Sequence, residues 1–239
     1  DPGPADVTRP ALTFNSAFSG CGGADLGFTD EGFACLRAID IDPVSVRVHN
    51  ANIRGKASVA DLSERGAHEL IDNTADVFLA GSPCQGFSNL GKQDKDDQRN
   101  ALLVRAAELA SVSGAKVVML ENVFGLATNR FRAYLEAAEQ ILRNAGYRTE
   151  RLSVRADEHG LPQMRRRLLL VAWQTERDLP PLERSAHPPM AIGSLLETIR
   201  PNLANARDYM PMSHLDERIA RLMPVGKRLS NSRGGDSCI

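Results

Sequence analysis

The sequence predicts an α/β fold whose mostly parallel, seven-stranded sheet contains one antiparallel strand. Short apolar runs alternate with stretches that resemble helices, which is the pattern of repeated β-α-β units. The last two predicted strands follow one another with no helix between them, so one of the two should run antiparallel. Hydrophobic residues make up 42% of the chain and charged residues 25%, which is ordinary for a soluble globular protein.

Strands and helices are predicted from these runs and from residues that start or stop helices. Seven apolar runs predict strands at residues 12–18, 34–39, 59–61, 76–80, 116–120, 147–154 and 167–173. Four stretches predict helices at residues 24–32, 43–52, 100–112 and 130–144. Pro43 suits a first helical turn, Asn100 can cap a helix and Gly146 can end one. The polar stretch 86–99 is interpreted as a loop.

The character of the sequence changes after Trp173, where prolines cluster and the alternation of strands and helices fades. A chain of 239 residues is long enough for one large domain and part of another. We therefore predict a first domain over residues 1–205 and the start of a second lobe over residues 206–239. The final residues resemble a flexible end.

Composition and cysteine usage indicate the cellular compartment in which the protein acts. No apolar run reaches the 18 residues that a membrane span would need, and the N-terminus does not resemble a signal peptide. The four cysteines form no C-x-x-C pair, so we expect neither a metal site nor a disulfide framework. A reducing cytoplasm fits this cysteine usage best.

A glycine-rich loop follows the first predicted strand and indicates a ligand site. Open α/β sheets bind ligands beyond the carboxyl ends of their strands. Gly20, Gly22 and Gly23 would let the backbone approach such a ligand closely, and Phe18 offers a ring face for stacking. A tight turn would explain the glycines alone.

Two aspartates strengthen that interpretation. Asp40 ends the second strand, where a carboxylate can accept both hydroxyls of a ribose, and Asp61 follows the third and could accept from an adenine amine. Either alone could equally be a helix cap or a surface aspartate. The loop has the pattern G-x-G-G and no basic residue beside it to meet a pyrophosphate. An adenosine cofactor without a pyrophosphate, S-adenosylmethionine (SAM), therefore fits better than NAD.

A second cluster of chemistry-bearing residues follows the fourth and fifth strands. Cys84, between Pro83 and Gln85, stands where a strand-end cysteine could act as a nucleophile, although most lone cysteines are small core residues. Glu121-Asn122 follows the apolar fifth strand, where a buried carboxyl would need a partner. Such a carboxyl would suit hydrogen bonding or proton transfer to a substrate. The alternative is an exposed glutamate at a strand end.

A polar run precedes the last strand. On a strand, Gln163, Arg165 and Arg167 would share one face. Arginines in such a run are usually solvated or face phosphate, but Arg165 could point inward at a ligand oxygen. The second part of the chain is mildly basic, which suits a nucleic acid backbone and is equally explained by a solvated surface.

In order, the motifs Phe18-Ser-Gly-Cys-Gly-Gly, Pro83-Cys84-Gln85, Glu121-Asn122-Val123 and Gln163-x-Arg165-x-Arg167 resemble the DNA (cytosine-5) methyltransferases. The resemblance covers about residues 12–175, and 97–99 resemble the end of that family's mobile catalytic loop. It implies a Rossmann-like SAM-dependent methyltransferase fold that acts on double-stranded DNA in the cytoplasm, often within a restriction-modification system.

The resemblance also implies roles for single residues. Cys84 would attack carbon 6 of a flipped-out cytosine, Glu121 would engage ring nitrogen 3 and the exocyclic amine, and Arg165 would contact the oxygen at position 2. Phe18, Asp40, Asp61 and the loop glycines would hold SAM. Pro83, Gln85, Asn122, Gln163 and Arg167 would shape the pocket.

Rival functions fit the motifs less well. Enzymes that methylate exocyclic amines place Asp/Asn/Ser-Pro-Pro-aromatic after strand four, and RNA cytosine-5 methyltransferases place a Thr-Cys pair where this chain has Glu121-Asn122. Regulatory homologues without activity lose the cysteine or the glutamate. A branch of the family that acts on transfer RNA stays open. The base-reading lobe and final helix of the family are not found, so we expect a monomer that needs a further C-terminal segment or a separate subunit.

Overall fold

The computed structural model describes residues 11–53, 57–83, 101–128 and 131–184. Several sequence predictions lie outside these residues. They are the nucleophile Cys84 with its neighbour Gln85, the loop over 86–99, the helix cap Asn100 and the second lobe over 206–239.

The described residues form the mixed sheet that the sequence predicts. Its strands are β1 (Thr13–Ala17), β2 (Ala34–Asp40), β3 (Ala57–Val59), β4 (Val77–Gly81), β5 (Val117–Val123), β6 (Arg148–Arg155) and β7 (Arg166–Trp173). They are ordered β3-β2-β1-β4-β5-β7-β6. The pairs among β1 to β5 are parallel, whereas β7 is antiparallel to β5. The predicted seven-stranded, mostly parallel sheet is therefore confirmed.

Four helices connect these strands, namely α1 (Gly23–Asp30), α2 (Pro43–Asn52), α3 (Ala101–Val112) and α4 (Arg132–Asn144). The α2 helix begins as predicted, with Pro43 in its first turn and the Asp42 carboxylate accepting hydrogen bonds from the amides of Val44 and Ser45, each at 3.0 Å. Helix α1 instead begins after Gly22, which caps it without a side-chain hydrogen bond. Gly22 has a left-handed backbone (φ 88°), which glycine adopts without strain.

The central strands are buried on both faces. In β4, Phe78 and Ala80 belong to a core that includes residues of α3 and α4, whereas Val77 and Leu79 belong to a second core against Phe28 and its neighbours. Such double burial is typical of a parallel strand covered by helices on both sides. It directs polar side chains to the strand ends, where a ligand can reach them.

Two strand boundaries differ from the prediction and move candidate site residues. Strand β3 lies two residues earlier than predicted, because its pairing with β2 joins Asp40 to Val59 as the last register pair. Asp61 is therefore in the turn after β3. Strand β5 continues three residues further than predicted, because β7 pairs with it as far as Val123. Glu121 and Asn122 thus lie within the strand and not after it.

The described residues divide into two compact units. The first comprises the residues up to Val154 together with Arg166–Pro181, and the second comprises Arg155–Arg165 together with the residues from Leu182 onward. The proposed division at residue 205 remains a prediction. Within the residues that the structure describes, no helix has the length and apolar character needed to cross a membrane.

Candidate active site

The glycine loop after β1 has an unusual backbone. Phe18 has φ 53°. Among the described residues, it is the one non-glycine residue with a left-handed backbone. A bulky residue in this region is strained by about 1–3 kcal/mol, and such strain is concentrated at functional sites. The Phe18 side chain is half-buried and packs against the main core. The aromatic residue that the sequence predicts for stacking therefore stands at the bend of the loop.

The glycines of the loop have two different roles. At Gly22, an added Cβ would lie 2.3 Å from Ile53 Cδ1 and 2.7 Å from His49 Cδ2, so it would force these side chains to shift, and the backbone (φ 88°) also favours glycine. At Gly20 and Gly23, an added Cβ would meet no described heavy atom within 4 Å. The loop is thus packed tightly on one side and open on the other. This openness suits a ligand that approaches the backbone.

Asp40 ties the glycine loop to the start of α2. Its Oδ2 accepts a hydrogen bond from the Gly20 amide at 2.8 Å, and its Oδ1 accepts one from the Asp42 amide at 2.9 Å. A carboxylate oxygen can accept more than one hydrogen bond, so both oxygens retain capacity for ribose hydroxyls. Asp40 is the last residue of β2, as predicted.

Asp61 is also arranged as an acceptor. Its Oδ1 accepts hydrogen bonds from the Ser63 amide at 2.8 Å and from the Ser63 hydroxyl at 2.7 Å. These two bonds, the hydroxyl bond foremost, lower the pKa of the Asp61 carboxyl below its usual value of 3.8. The group is therefore ionised at neutral pH. Both bonds use Oδ1, which leaves Oδ2 for an incoming donor such as an adenine amine.

Together these features fit SAM. The loop after β1, Asp40 at the end of β2 and Asp61 just after β3 follow three adjacent strands of the sheet. The carboxylates can accept from ribose and adenine, and the open side of the glycines can admit a ligand close to the backbone.

Asn122 joins the ends of β5 and β4 near the predicted nucleophile. Its Nδ2 donates to the Ser82 carbonyl at 3.2 Å and to the Ser82 hydroxyl at 3.0 Å, and both residues are buried. Its Oδ1 accepts from the Val123 amide at 2.8 Å. The described range 57–83 ends at Pro83, one residue before Cys84. Asn122 thus fixes the backbone that leads into Cys84.

Glu121 forms an ion pair with Arg167. The Oε1–Nε distance is 2.8 Å, the Glu121 side chain is 36% exposed and that of Arg167 is 9% exposed. Glu121 therefore has the partner that a carboxyl on an apolar strand needs, but it is not fully buried. In the register, Gly81 of β4 lies opposite Glu121, so this carboxylate is near the chain that leads to Cys84.

Gln163 and Arg165 precede strand β7, so the alternation expected on a strand does not apply to these two residues. Strand β7 begins at Arg166, and just before it the Arg165 carbonyl accepts from the Ala156 amide at 2.8 Å. Gln163 is exposed and Arg165 is half-buried, and Arg167 is the member of this run for which the described residues show an ion pair with Glu121.

A buried polar group next to the glycine loop could not be predicted from the sequence. Asp25 and His49 are both 0% exposed and form a hydrogen bond with each other. Asp25 also accepts a hydrogen bond from the Ser16 hydroxyl. Asp25 follows the glycines by two residues, but nothing in the local pattern indicates that α2 supplies its partner.

The sheet order and the likeness to solved structures define a Rossmann-like methyltransferase fold. A DNA modification methyltransferase encoded within an E. coli prophage superposes with a TM-score of 0.67 at 24% identity, over 78% of this chain and 54% of that one.

Sequence comparison identifies the family. The profile of the C-5 cytosine-specific DNA methylase family matches residues 12–227. The type II methyltransferase M.XorII of Xanthomonas oryzae pv. oryzae is 34% identical over 73% of this chain and 43% of its own length. M.BsuFI of Bacillus subtilis is 32% identical over 69% of this chain and 40% of its own length. The chain belongs to the C-5 cytosine-specific DNA methylase family and spans less than half the length of these two relatives.

Proposed function

We propose that this chain carries the catalytic part of an enzyme that transfers a methyl group from SAM to carbon 5 of cytosine in double-stranded DNA. The observation that carries the proposal is the Glu121–Arg167 ion pair beside the Asn122–Ser82 anchor. Together they place an oriented carboxylate next to the backbone that leads into Cys84. Family membership supports the same reaction class.

The proposed chemistry begins with Cys84. Its thiolate adds to carbon 6 of cytosine, which converts the unreactive carbon 5 into an enamine-like nucleophile. Bound SAM supplies the methyl group that carbon 5 takes up. Loss of the carbon 5 proton then restores the ring double bond and expels the Cys84 thiolate. The cytosine must leave the base stack for these steps, because its ring atoms are otherwise inaccessible.

Glu121 and the two arginines would hold the cytosine during these steps. Glu121 engages ring nitrogen 3 and the exocyclic amine, which draws electron density away from carbon 6 as the thiolate adds. Arg167 orients Glu121 through the 2.8 Å bond. Arg165 contacts the oxygen at position 2, and Gln163 and Gln85 shape the pocket. Phe18, Asp40 and Asp61 bind SAM.

The substrate and partners follow from the same proposal. The named relatives are type II methyltransferases, which supports a role in a restriction-modification system. We propose a monomeric catalytic domain over residues 1–205, with residues 206–239 as the start of a lobe that reads bases. A further C-terminal segment or a separate subunit would supply the remaining base contacts, which sequence-specific binding requires.

Covalent trapping tests the proposal. DNA that carries 5-fluorocytosine cannot lose a proton from carbon 5, so the adduct with Cys84 should persist. We expect a SAM-dependent band of protein bound to DNA on a denaturing gel. Cys84→Ala should abolish the band, whereas Cys35→Ala, a change at a half-buried cysteine of β2, should keep it.

The preparation for this assay includes the C-terminal segment, supplied in the same chain or as a separate polypeptide. An adduct that survives Cys84→Ala, or no adduct in an active preparation, would contradict the mechanism. Adduct formation with transfer RNA but not with DNA would contradict the proposed substrate and assign the chain to the RNA-acting branch.

A further inference from the structure

A buried polar network joins β1, α1 and α2 next to the glycine loop. The Ser16 hydroxyl donates to Asp25 Oδ1 at 2.6 Å, and His49 Nε2 lies 2.7 Å from Asp25 Oδ2. Ser16 is 3% exposed, and Asp25 and His49 are 0% exposed. Because a carboxylate can only accept hydrogen bonds, we assign His49 Nε2 as the donor to Asp25.

Burying this polar network has a free-energy cost that apolar side chains at the same positions would avoid. Burying a carboxylate costs several kcal/mol unless hydrogen bonds offset the lost hydration, and apolar replacements of buried polar groups are often as stable. His49 Nδ1 is buried and has no hydrogen-bond partner among the described residues. Stability alone therefore does not account for the network, and its place beside the loop suggests a positional role.

The geometry connects the network to both halves of the SAM site. Asp25 lies in the first turn of α1, which begins at the glycine loop. His49 is on α2, which begins three residues after Asp40. The site where a Cβ of Gly22 would lie is 2.7 Å from the His49 ring, so the ring supports the loop directly. The Asp25–His49 bond thus sets the position of the loop relative to Asp40.

We propose that His49 and Asp25 are positioning residues for SAM binding. The inference rests on the proposed function, because it takes the glycine loop to be the SAM site. Two side chains tie this region to its neighbours: Asp40 accepts from the Gly20 amide, and Asp25 bonds His49 of α2. Loss of the Asp25–His49 bond leaves the loop bonded to the end of β2, through the Ser19 and Gly20 amides, but removes the hydrogen-bonded link to α2. Asp25 and His49 have no exposed surface and act through the loop.

Three variants test this role in the full chain. His49→Leu removes the donor and should raise the Kd of SAM about tenfold in calorimetry. His49→Gln returns an amide donor near the place of Nε2 and should stay within about threefold of wild type. Asp25→Asn loses one acceptor and should weaken SAM about as much as His49→Leu. The exposed positions His68 and Asp30 supply matched controls, His68→Leu and Asp30→Asn, which should bind SAM normally.

Amide hydrogen exchange separates a local effect from a general loss of stability. In His49→Leu, exchange at residues 19–25 should become faster, whereas exchange within α4 should stay as in wild type. Equal SAM affinity of His49→Leu, His49→Gln and wild type would overturn the inference while the proposed function stands. Uniformly faster exchange would overturn it too, since it indicates a structural role alone. Should His49→Leu fail to fold, Asp25→Asn against Asp30→Asn decides between the same outcomes. A wild-type chain that does not bind SAM would contradict the proposed function itself.

Discussion

Glu121 and Arg167 form a diagonal ion pair across β5 and β7, with 2.8 Å between Oε1 and Nε. The register places Glu121 opposite Leu169 and Arg167 opposite Val123, so the two charged side chains are two positions apart on the same face. The antiparallel strand therefore has a consequence for the candidate site. It brings a guanidinium from the last strand to a carboxylate at the carboxyl end of a parallel one.

We predict that Glu121→Gln slows methyl transfer by about 100-fold or more, the range for loss of a group that acts in acid–base catalysis. The amide keeps the shape but cannot hold the positive charge that develops beside the cytosine amine. Transfer of labelled methyl from SAM to DNA measures the effect in an active preparation. Glu136→Gln, at an exposed position of α4, is the control. A near-normal rate for Glu121→Gln would mean that Glu121 is only an ion-pair partner.

We predict that Asp40→Ala weakens SAM binding by about 1.5–3 kcal/mol, the scale for hydrogen bonds to a charged group. The variant removes the ribose acceptor and also the tie to the Gly20 amide. Calorimetry with the full chain measures the change, and Asp30→Ala at the exposed end of α1 is the control. Unchanged affinity would remove Asp40 from the SAM site.

We predict that Asn122→Ala lowers the rate of methyl transfer about tenfold or more and leaves SAM affinity unchanged. The side chain donates to both Ser82 oxygens, and a small displacement of a reacting group can cost 100-fold in rate. Saturation kinetics in SAM separate the two effects. Asn144→Ala, at an exposed position of α4, is the control. Weakened SAM binding with a normal maximal rate would contradict a role in placing Cys84.

The sheet could be predicted from sequence because its strands are apolar runs separated by helix-start signals such as Pro43. The sequence also places Asp40, Glu121 and Asn122 at or near strand ends, where ligands bind in open sheets, and the structure has them at the ends of β2 and β5. Partners from other strands could not be predicted. Arg165 and Arg167 have the same residue type, and the register that pairs Arg167 with Val123, and so brings Arg167 beside Glu121, cannot be read from the sequence.

The Asp25–His49 pair could not be predicted from the sequence either, because its two residues come from different helices. The two residues are 24 positions apart, and local periodicity says nothing about polar groups that two helices bury against each other. A polar residue on a buried helix face is the available signal, but it does not name its partner.

We predict that Asp76→Asn lowers the free energy of unfolding at pH 7 by at most about 1 kcal/mol, the scale of an exposed ion pair. Hydrogen bonds from Lys116 and then from the Thr13 amide lower the pKa of Asp76 below 3.8. A lowered pKa in the folded state contributes stability that is present above pH 3.8 and lost as the pH falls through the folded value. Urea unfolding should therefore separate the two proteins at pH 7 and bring them together near pH 2. A difference that grows on acidification would contradict this sign.

We predict opposite effects for alanine at two glycines that lie five residues apart. Gly22→Ala should destabilise the fold by about 1–3 kcal/mol or more, because φ 88° strains an L-residue and the new Cβ would lie 2.3 Å from Ile53 Cδ1. Gly27 lies within α1, and a Cβ there meets no described atom within 4 Å. Gly27→Ala should therefore stabilise the fold by about 0.5–1 kcal/mol through the lower helix propensity of glycine. Chemical denaturation measures both changes, and calorimetry should show weaker SAM binding for Gly22→Ala alone. Equal stability of the two variants would mean that the loop can move away from α2. It would also contradict the statement that the His49 ring supports the loop.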